Sequence, residues 1–366
     1  MSRLTKFALA FALAASVPVA GQRGQGGQGG QGGQPPAAPS PYAAPAGDVL
    51  GVGTFIHAVT DVNNSAAFYG EFLGAMVNGA AGPRQFAPNP VVASLYGVPG
   101  ADFRGGTIRI PGTEIGGAEL VDWGSVPSRR AVRPRVQDPG AAILMLSVRN
   151  IDPMVETVKK FNGTVVTPGG EPKAFDRNGP LKGRVVVVTD PDGFLIQLVQ
   201  LDTPPDSTAP AGANILAAGL AFTVKNADAT MRYYQDALGF VPGVPKELYA
   251  LGAGLLAQEG LSSGIAKSAF TRVPGTAVPV EFVEIRSSDA GAFQPTIRDP
   301  GAGMLRLRVK DIDALLPKLK AGGATVSSEN GQPVTFANGQ RMVVVHDPNN
   351  FFIQPVQAAP PQPRQP

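Results

Sequence analysis

Residues 54–60 form a short apolar run interrupted by His57 and bounded by Thr54 and Thr60, rich in aromatic and β-branched side chains, which predicts a strand. A helical period follows. Phe68 and Phe72, and Tyr69 and Leu73, stand at i,i+4 spacing, as on the buried stripe of a helix, and Gly74 is placed to stop it. Strand-like segments follow at 107–110 and 118–123. A second cycle begins with an apolar strand at 143–148. Asp152-Pro153 then reads as an N-cap and N1 pair, opening a helix with the apolar stripe Met154, Val158 and Phe161; Asn162-Gly163 closes it. Residues 185–188, a turn at 190–193 and residues 194–199 read as a hairpin.

The whole pattern then returns. Phe68-Tyr69 with Leu73-Gly74 reappears as Tyr233-Tyr234 with Leu238-Gly239. Asp138-Pro139-Gly140 reappears as Asp299-Pro300-Gly301. Asp190-Pro191-Asp192-Gly193, followed by Gln197, reappears as Asp347-Pro348-Asn349-Asn350, followed by Gln354. The separations drift by a few residues, as in a duplication with small loop deletions. Matching elements in the second copy fall at 220–224, 229–238, 304–309, 313–320 and 342–345, with Pro317 expected within the first turn of its helix. Two globular blocks result, 49–201 and 214–358, joined by a proline-bearing linker at 202–213.

Composition narrows the function classes. With 366 residues, 43% hydrophobic, the chain can bury two medium-sized cores. Charge is sparse at 16% and the net charge is +3, so nucleic-acid binding has no support. The absence of cysteine excludes disulfides and a thiol nucleophile. Arg3 and Lys6 precede a short apolar run at 7–15, which predicts a signal peptide over 1–20 with cleavage before Gly21, and a secreted or periplasmic protein. A retained anchor is the alternative. No membrane span is expected in the mature chain. Residues 21–48 (Gly/Gln/Pro-rich) and the Pro-rich tail at 359–366 are expected to be disordered.

The patterns Asp61…Phe68-Tyr69…Leu73-Gly74 and Asp190-Pro191-Asp192-Gly193-Phe194…Ile196-Gln197, each present twice, resemble the vicinal oxygen chelate (VOC) superfamily. That superfamily includes glyoxalase I, bleomycin-resistance proteins and extradiol dioxygenases. The resemblance implies an α+β fold of two tandem domains. Each has two βαβββ modules with curled mixed sheets forming a cup. Modules can pair within a block or between blocks. The resemblance also implies four metal-ligand places per cup. Here they hold Thr54 or Gly219 on the opening strand, Glu119 or Glu281 on a late strand, Ile143 or Met304 on the partner module's first strand, and Gln197 or Gln354 after the hairpin.

One carboxylate and one amide per cup are too few for a metal site of the usual kind, since Ile143 and Met304 offer no oxygen or imidazole ligand. The expectation is therefore no metal cofactor. Thr54, Glu119, Gln197, Glu281 and Gln354 are candidate ligand-binding residues, with Glu119 and Glu281 the candidates for any catalytic role. Asp122 and Glu284 fall on the opposite sheet face. His57 alternates away from Thr54 and Ile56, as a packed histidine would, unless a bulge re-aims it. His346 is a hairpin-edge histidine. Arg129, Arg130, Arg133 and Arg135 form either a solvated loop or an anion-binding mouth. The resulting expectation is an exported protein binding a small molecule without the usual metal, as a monomer with intramolecular domain pairing or a homodimer. The alternatives are a metal-dependent lyase or dioxygenase of the glyoxalase type with an atypical ligand set, and a structural envelope protein with a filled cup.

Overall fold

The computed structural model describes residues 47–360, apart from 75–76, 79–85, 111, 125–132, 177–181, 206, 208, 244–248, 251–263 and 288. The expected signal peptide, the Gly/Gln tract, Arg129 and Arg130 lie outside the described residues.

Four modules follow one another. The first runs β1 (Val49–Val59), α1 (Val62–Leu73), β2 (Val77–Asn78), β3 (Ala87–Pro88), α2 (Pro90–Tyr96), β4 (Asp102–Ile108) and β5 (Ala118–Trp123). The second runs β6 (Ala142–Val148), α3 (Asp152–Lys160), β7 (Lys173–Asp176), β8 (Lys182–Thr189) and β9 (Leu195–Leu201). The third holds β10 (Ile215–Thr223), α4 (Ala227–Leu238), β11 (Tyr249–Ala250), β12 (Ile265–Arg272) and β13 (Pro279–Arg286). The fourth holds β14 (Gly303–Val309), α5 (Ile312–Ala321), β15 (Thr325–Val326), β16 (Val334–Thr335), β17 (Arg341–Met342), β18 (Val345–His346) and β19 (Phe352–Gln357).

Repeated caps explain the repeated helices. Asp61 accepts from the Asn63 and Asn64 amides to open α1, and Gly74 closes it at φ 60°. Asn226 and Gly239 do the same for α4. Two expectations shift. Helix α3 begins at Asp152 itself, whose amide is taken by Asn150 Oδ1. Asp311 caps α5, so the helix starts earlier than expected and Pro317 lies in its interior, beyond the first turn.

The modules pair between blocks. In the first sheet the order is β15-β18-β19-β14-β1-β5-β4-β2, so the first and fourth modules meet at the antiparallel β1–β14 seam. In the second it is β11-β12-β13-β10-β6-β9-β8-β7, joined at β6–β10. The outer faces of both sheets and helices α1, α3, α4 and α5 share one apolar core, bridged by Phe55 against Phe194 and Phe222 against Phe351 at ring separations of 4.8 and 4.5 Å. Burying each such ring contributes roughly 1.5–3 kcal/mol. The inner, cup faces carry separate apolar clusters. Among the described residues no helix is long and apolar enough to cross a membrane.

Candidate functional site

Strand register gathers three of the expected ligand residues in the first cup. Glu119 pairs with Ile56, and Ile56 with Met304; two residues along β14, Arg306 pairs with Gln354. Thr54 lies in a bulge, since the register slips between Val52 and Phe55. Into this space comes a side chain the sequence reading missed. Arg306 donates from Nη1 to Glu119 Oε2 at 2.7 Å and to Thr54 Oγ1 at 3.0 Å, and from Nε to Gln354 Oε1 at 2.6 Å. A Cβ on Gly53 would come within 2.9 Å of Arg306 Cγ, so the bulge glycine leaves room for the arginine stem. The Arg306 and Glu119 side chains keep 18% and 30% of their exposure, so this ion pair is only partly in water.

Helix α2 fills much of the remaining concavity. Asn89 caps it, Pro90 opens it and Gly97 ends it at φ 64°. Its Leu95 and Tyr96 pack with Trp123, Met304, Met342 and Phe352. The residual space beside Met304 and Tyr96 is about 10 Å³, room for one water at most. Burial pushes the Tyr96 phenol well above its usual pKa, and the Glu119 charge pushes the same way, against Arg306 and Gln354. Gln354 is fully buried; Arg306 takes its Oε1, and its side chain also lies against the Tyr96 phenol.

The second cup has the same plan and different contents. Gln197 pairs with Met145, as Gln354 pairs with Arg306, and Glu281 pairs with Ala221. Both Gln197 and Glu281 are buried. Around them Ile143, Met145, Val187, Leu195, Val283 and Ile285 form an apolar cluster. A Cβ on Gly219 would meet Pro279 Cγ at 2.6 Å and Met145 Cε at 3.1 Å, so that place has no room for an imidazole.

No family model and no curated protein matches the sequence. Solved structures do. Glyoxalase I from Zea mays superposes with a TM-score of 0.52 at 13% identity, over 85% of this chain and 92% of that one. A putative dioxygenase from Bacillus subtilis gives 0.50 at 14% identity, over 86% and 87%. The chain has the vicinal oxygen chelate fold.

Within this VOC fold, polar groups on the opposite sheet faces anchor helix starts within modules and elsewhere tie two modules together. Asp122 accepts from the Val62 amide and from Arg104 Nε, and Glu284 from the Ala227 amide and Arg286 Nε, so both carboxylates serve helix starts outside the cups. His57 is fully buried between the first and second modules. Its Nδ1 faces the Ala302 carbonyl at 3.2 Å and its Nε2 faces Asp190 Oδ2 at 2.6 Å. Both ring nitrogens therefore meet acceptors, which favours the doubly protonated imidazolium. Burial alone would lower the His57 pKa, but the Asp190 carboxylate, Asp192 and the Ala302 carbonyl together hold it above 6.5.

His57, Asp190 and Asp192 lie close enough to ligate an ion. Their acceptor positions are already used. Asp190 also receives Tyr69 Oη and the Asp192 and Phe194 amides, while Asp192 receives Thr60 and Ser65. The second block repeats this knot without the histidine. Tyr234 Oη donates to Asp347 at 3.1 Å, Asn349 donates to Thr230, and Phe222 stands in the place of His57. Burial raises the Asp347 pKa to about 6.

The remaining candidates separate. Arg135 pairs with Asp138 and Asp289, Arg133 is exposed, and neither joins a cup. His346 is half-buried, its pKa lowered by burial, and it lines a cleft at the edge of the first cup.

Proposed function

We propose that this protein binds a small molecule without the metal of metal-dependent VOC proteins, and that Arg306 supplies the fixed positive charge of the first cup. The observation carrying this reading is the contact of one guanidinium with Thr54, Glu119 and Gln354, three of the four places to which the resemblance assigns ligands. A divalent ion there would lie against a cation already bonded to the Glu119 carboxylate. The fourth place holds Met304, a thioether and a poor partner for hard divalent ions. In the second cup Gly219 and Ile143 add no ligand atom. These residues do not suit a divalent metal, and no step is routed through one. The N-terminal pattern of Arg3, Lys6 and the apolar run supports export as part of the same proposal.

A structural role is the second reading, favoured by the packing of α2 into the first cup. Thermal unfolding with and without EDTA, and with added zinc, nickel or manganese, tests the metal-free reading. The midpoint should stay within about 1 °C throughout, because only a ligand that binds the native state shifts it. A fall of several degrees in EDTA, reversed by one metal, contradicts the proposal.

A further inference from the structure

A cleft of about 520 Å³ opens at the rim of the first cup, within the size range of small-molecule sites. Its walls are the α2–β4 loop, the 295–298 loop and the β18–β19 hairpin. It is separate from the Arg306 cluster. Tyr96 stands between them, lining the cleft and lying against Gln354. The floor is aromatic, from Tyr96 and Phe352, with Ile297 and Val98 beside it. Polar groups converge from three elements: Arg298 from one loop, Ser327 from the stretch after β15, and His346 and Asn350 from the hairpin. The described lining has one permanent cation and no carboxylate.

This arrangement has a chemical preference. A guanidinium binds a carboxylate through two parallel hydrogen bonds. An apolar, ring-bearing floor favours a flat hydrophobic body, with offset or edge contacts to Tyr96 and Phe352. The neutral His346 imidazole, the Ser327 hydroxyl and the Asn350 amide offer hydrogen bonds without adding negative charge. The block repeat does not conserve the feature: Thr189 stands where His346 is, and Gln137 where Arg298 is. The site is thus built on one side of the duplication only.

We propose that this cleft binds a small aromatic carboxylate, with the carboxylate on Arg298 and the ring over Tyr96 and Phe352. The inference rests on the small-molecule reading above. Its failure is read separately, because metal retention and the response to EDTA do not involve Arg298.

The chain supplies its own probe. Trp123 is the sole tryptophan, and its ring lies 5.2 Å from that of Tyr96. Benzoate, phenylacetate and 3-phenylpropanoate are titrated into the full chain, each beside its neutral amide, with Trp123 emission as the readout and calorimetry as a check. At least one acid should give saturable binding, and its amide should bind about tenfold or more weakly. Arg298→Gln should weaken the acid by about ten- to a hundred-fold. Arg232→Gln, which removes the same charge from an exposed face of α4, should leave it unchanged. The proposal is overturned if none of the acids binds, if acid and amide bind equally, or if Arg298→Gln binds like the unmodified chain.

Discussion

The two blocks follow one strand plan, yet each places a buried or half-buried cation where the other has an apolar side chain. Block one has His57 on the outer face of β1; block two has Phe222 there. Block two has Arg306 on the cup face of β14; block one has Met145 there. Register is the same in each case, since Arg306 pairs with Gln354 as Met145 pairs with Gln197. The difference lies in single side chains and the faces they occupy. An outward cation clamps one module to another through Asp190. An inward cation fills a cup and neutralises Glu119. Duplicated scaffolds can thus diverge in stability and in binding independently, because successive strand residues face different compartments.

The largest effect should come from breaking the outward clamp. Asp190→Asn leaves a buried imidazolium beside a neutral amide and should cost about 3 kcal/mol in urea unfolding. Asp347→Asn, its repeat partner, faces Phe222 in place of a cation and should change stability by less than about 1 kcal/mol. Equal costs would mean that His57 carries no charge and that the two knots are equivalent.

Arg306→Met makes the first cup resemble the second. It strips Glu119 of its cation and leaves Gln354 Oε1 without its donor, for an expected loss of about 2 kcal/mol, tempered by the pair's partial exposure. A double-mutant cycle with Glu119→Gln should return a coupling of roughly 1–2 kcal/mol. Additive effects would remove the case for Arg306 as the centre of that cup.

Smaller, but separable in pH, are the two titrations. His57 has a raised pKa in the folded state. Its contribution is therefore complete below about pH 6.5 and is lost as pH rises through the folded value. Asp347 is also raised, from 3.8 to about 6, so the folded state holds its proton longer and stability falls as pH rises between those values. His57→Phe should flatten the upper window alone, and Asp347→Asn the lower one alone. Either variant flattening both windows would show the knots to be coupled.

Much of the fold was legible because local signals repeat. Residues 118–123 were predicted as a strand and form β5, and the Asn226…Gly239 caps bracket α4. The alternation that put His57 opposite Thr54 also holds. The pairing of modules was not legible, because within-block and between-block cups draw on similar residues. Helix α2 carried a signal in Asn89-Pro90 and Gly97, but it is short and its apolar positions fit no long periodic stripe. Arg306 was hidden for a tertiary reason. A strand arginine ordinarily faces solvent, and only the bulge at Gly53 and Thr54 gives this one an inward place.

Metal retention tests the central claim most directly. The purified chain is incubated in turn with zinc, nickel, manganese and ferrous iron, desalted and analysed for bound metal. With Arg306 among Thr54, Glu119 and Gln354, each metal should remain at well under one equivalent. Retention of one equivalent, abolished by Glu119→Gln or Glu281→Gln, would contradict the account and make the protein a metal-dependent member of its fold.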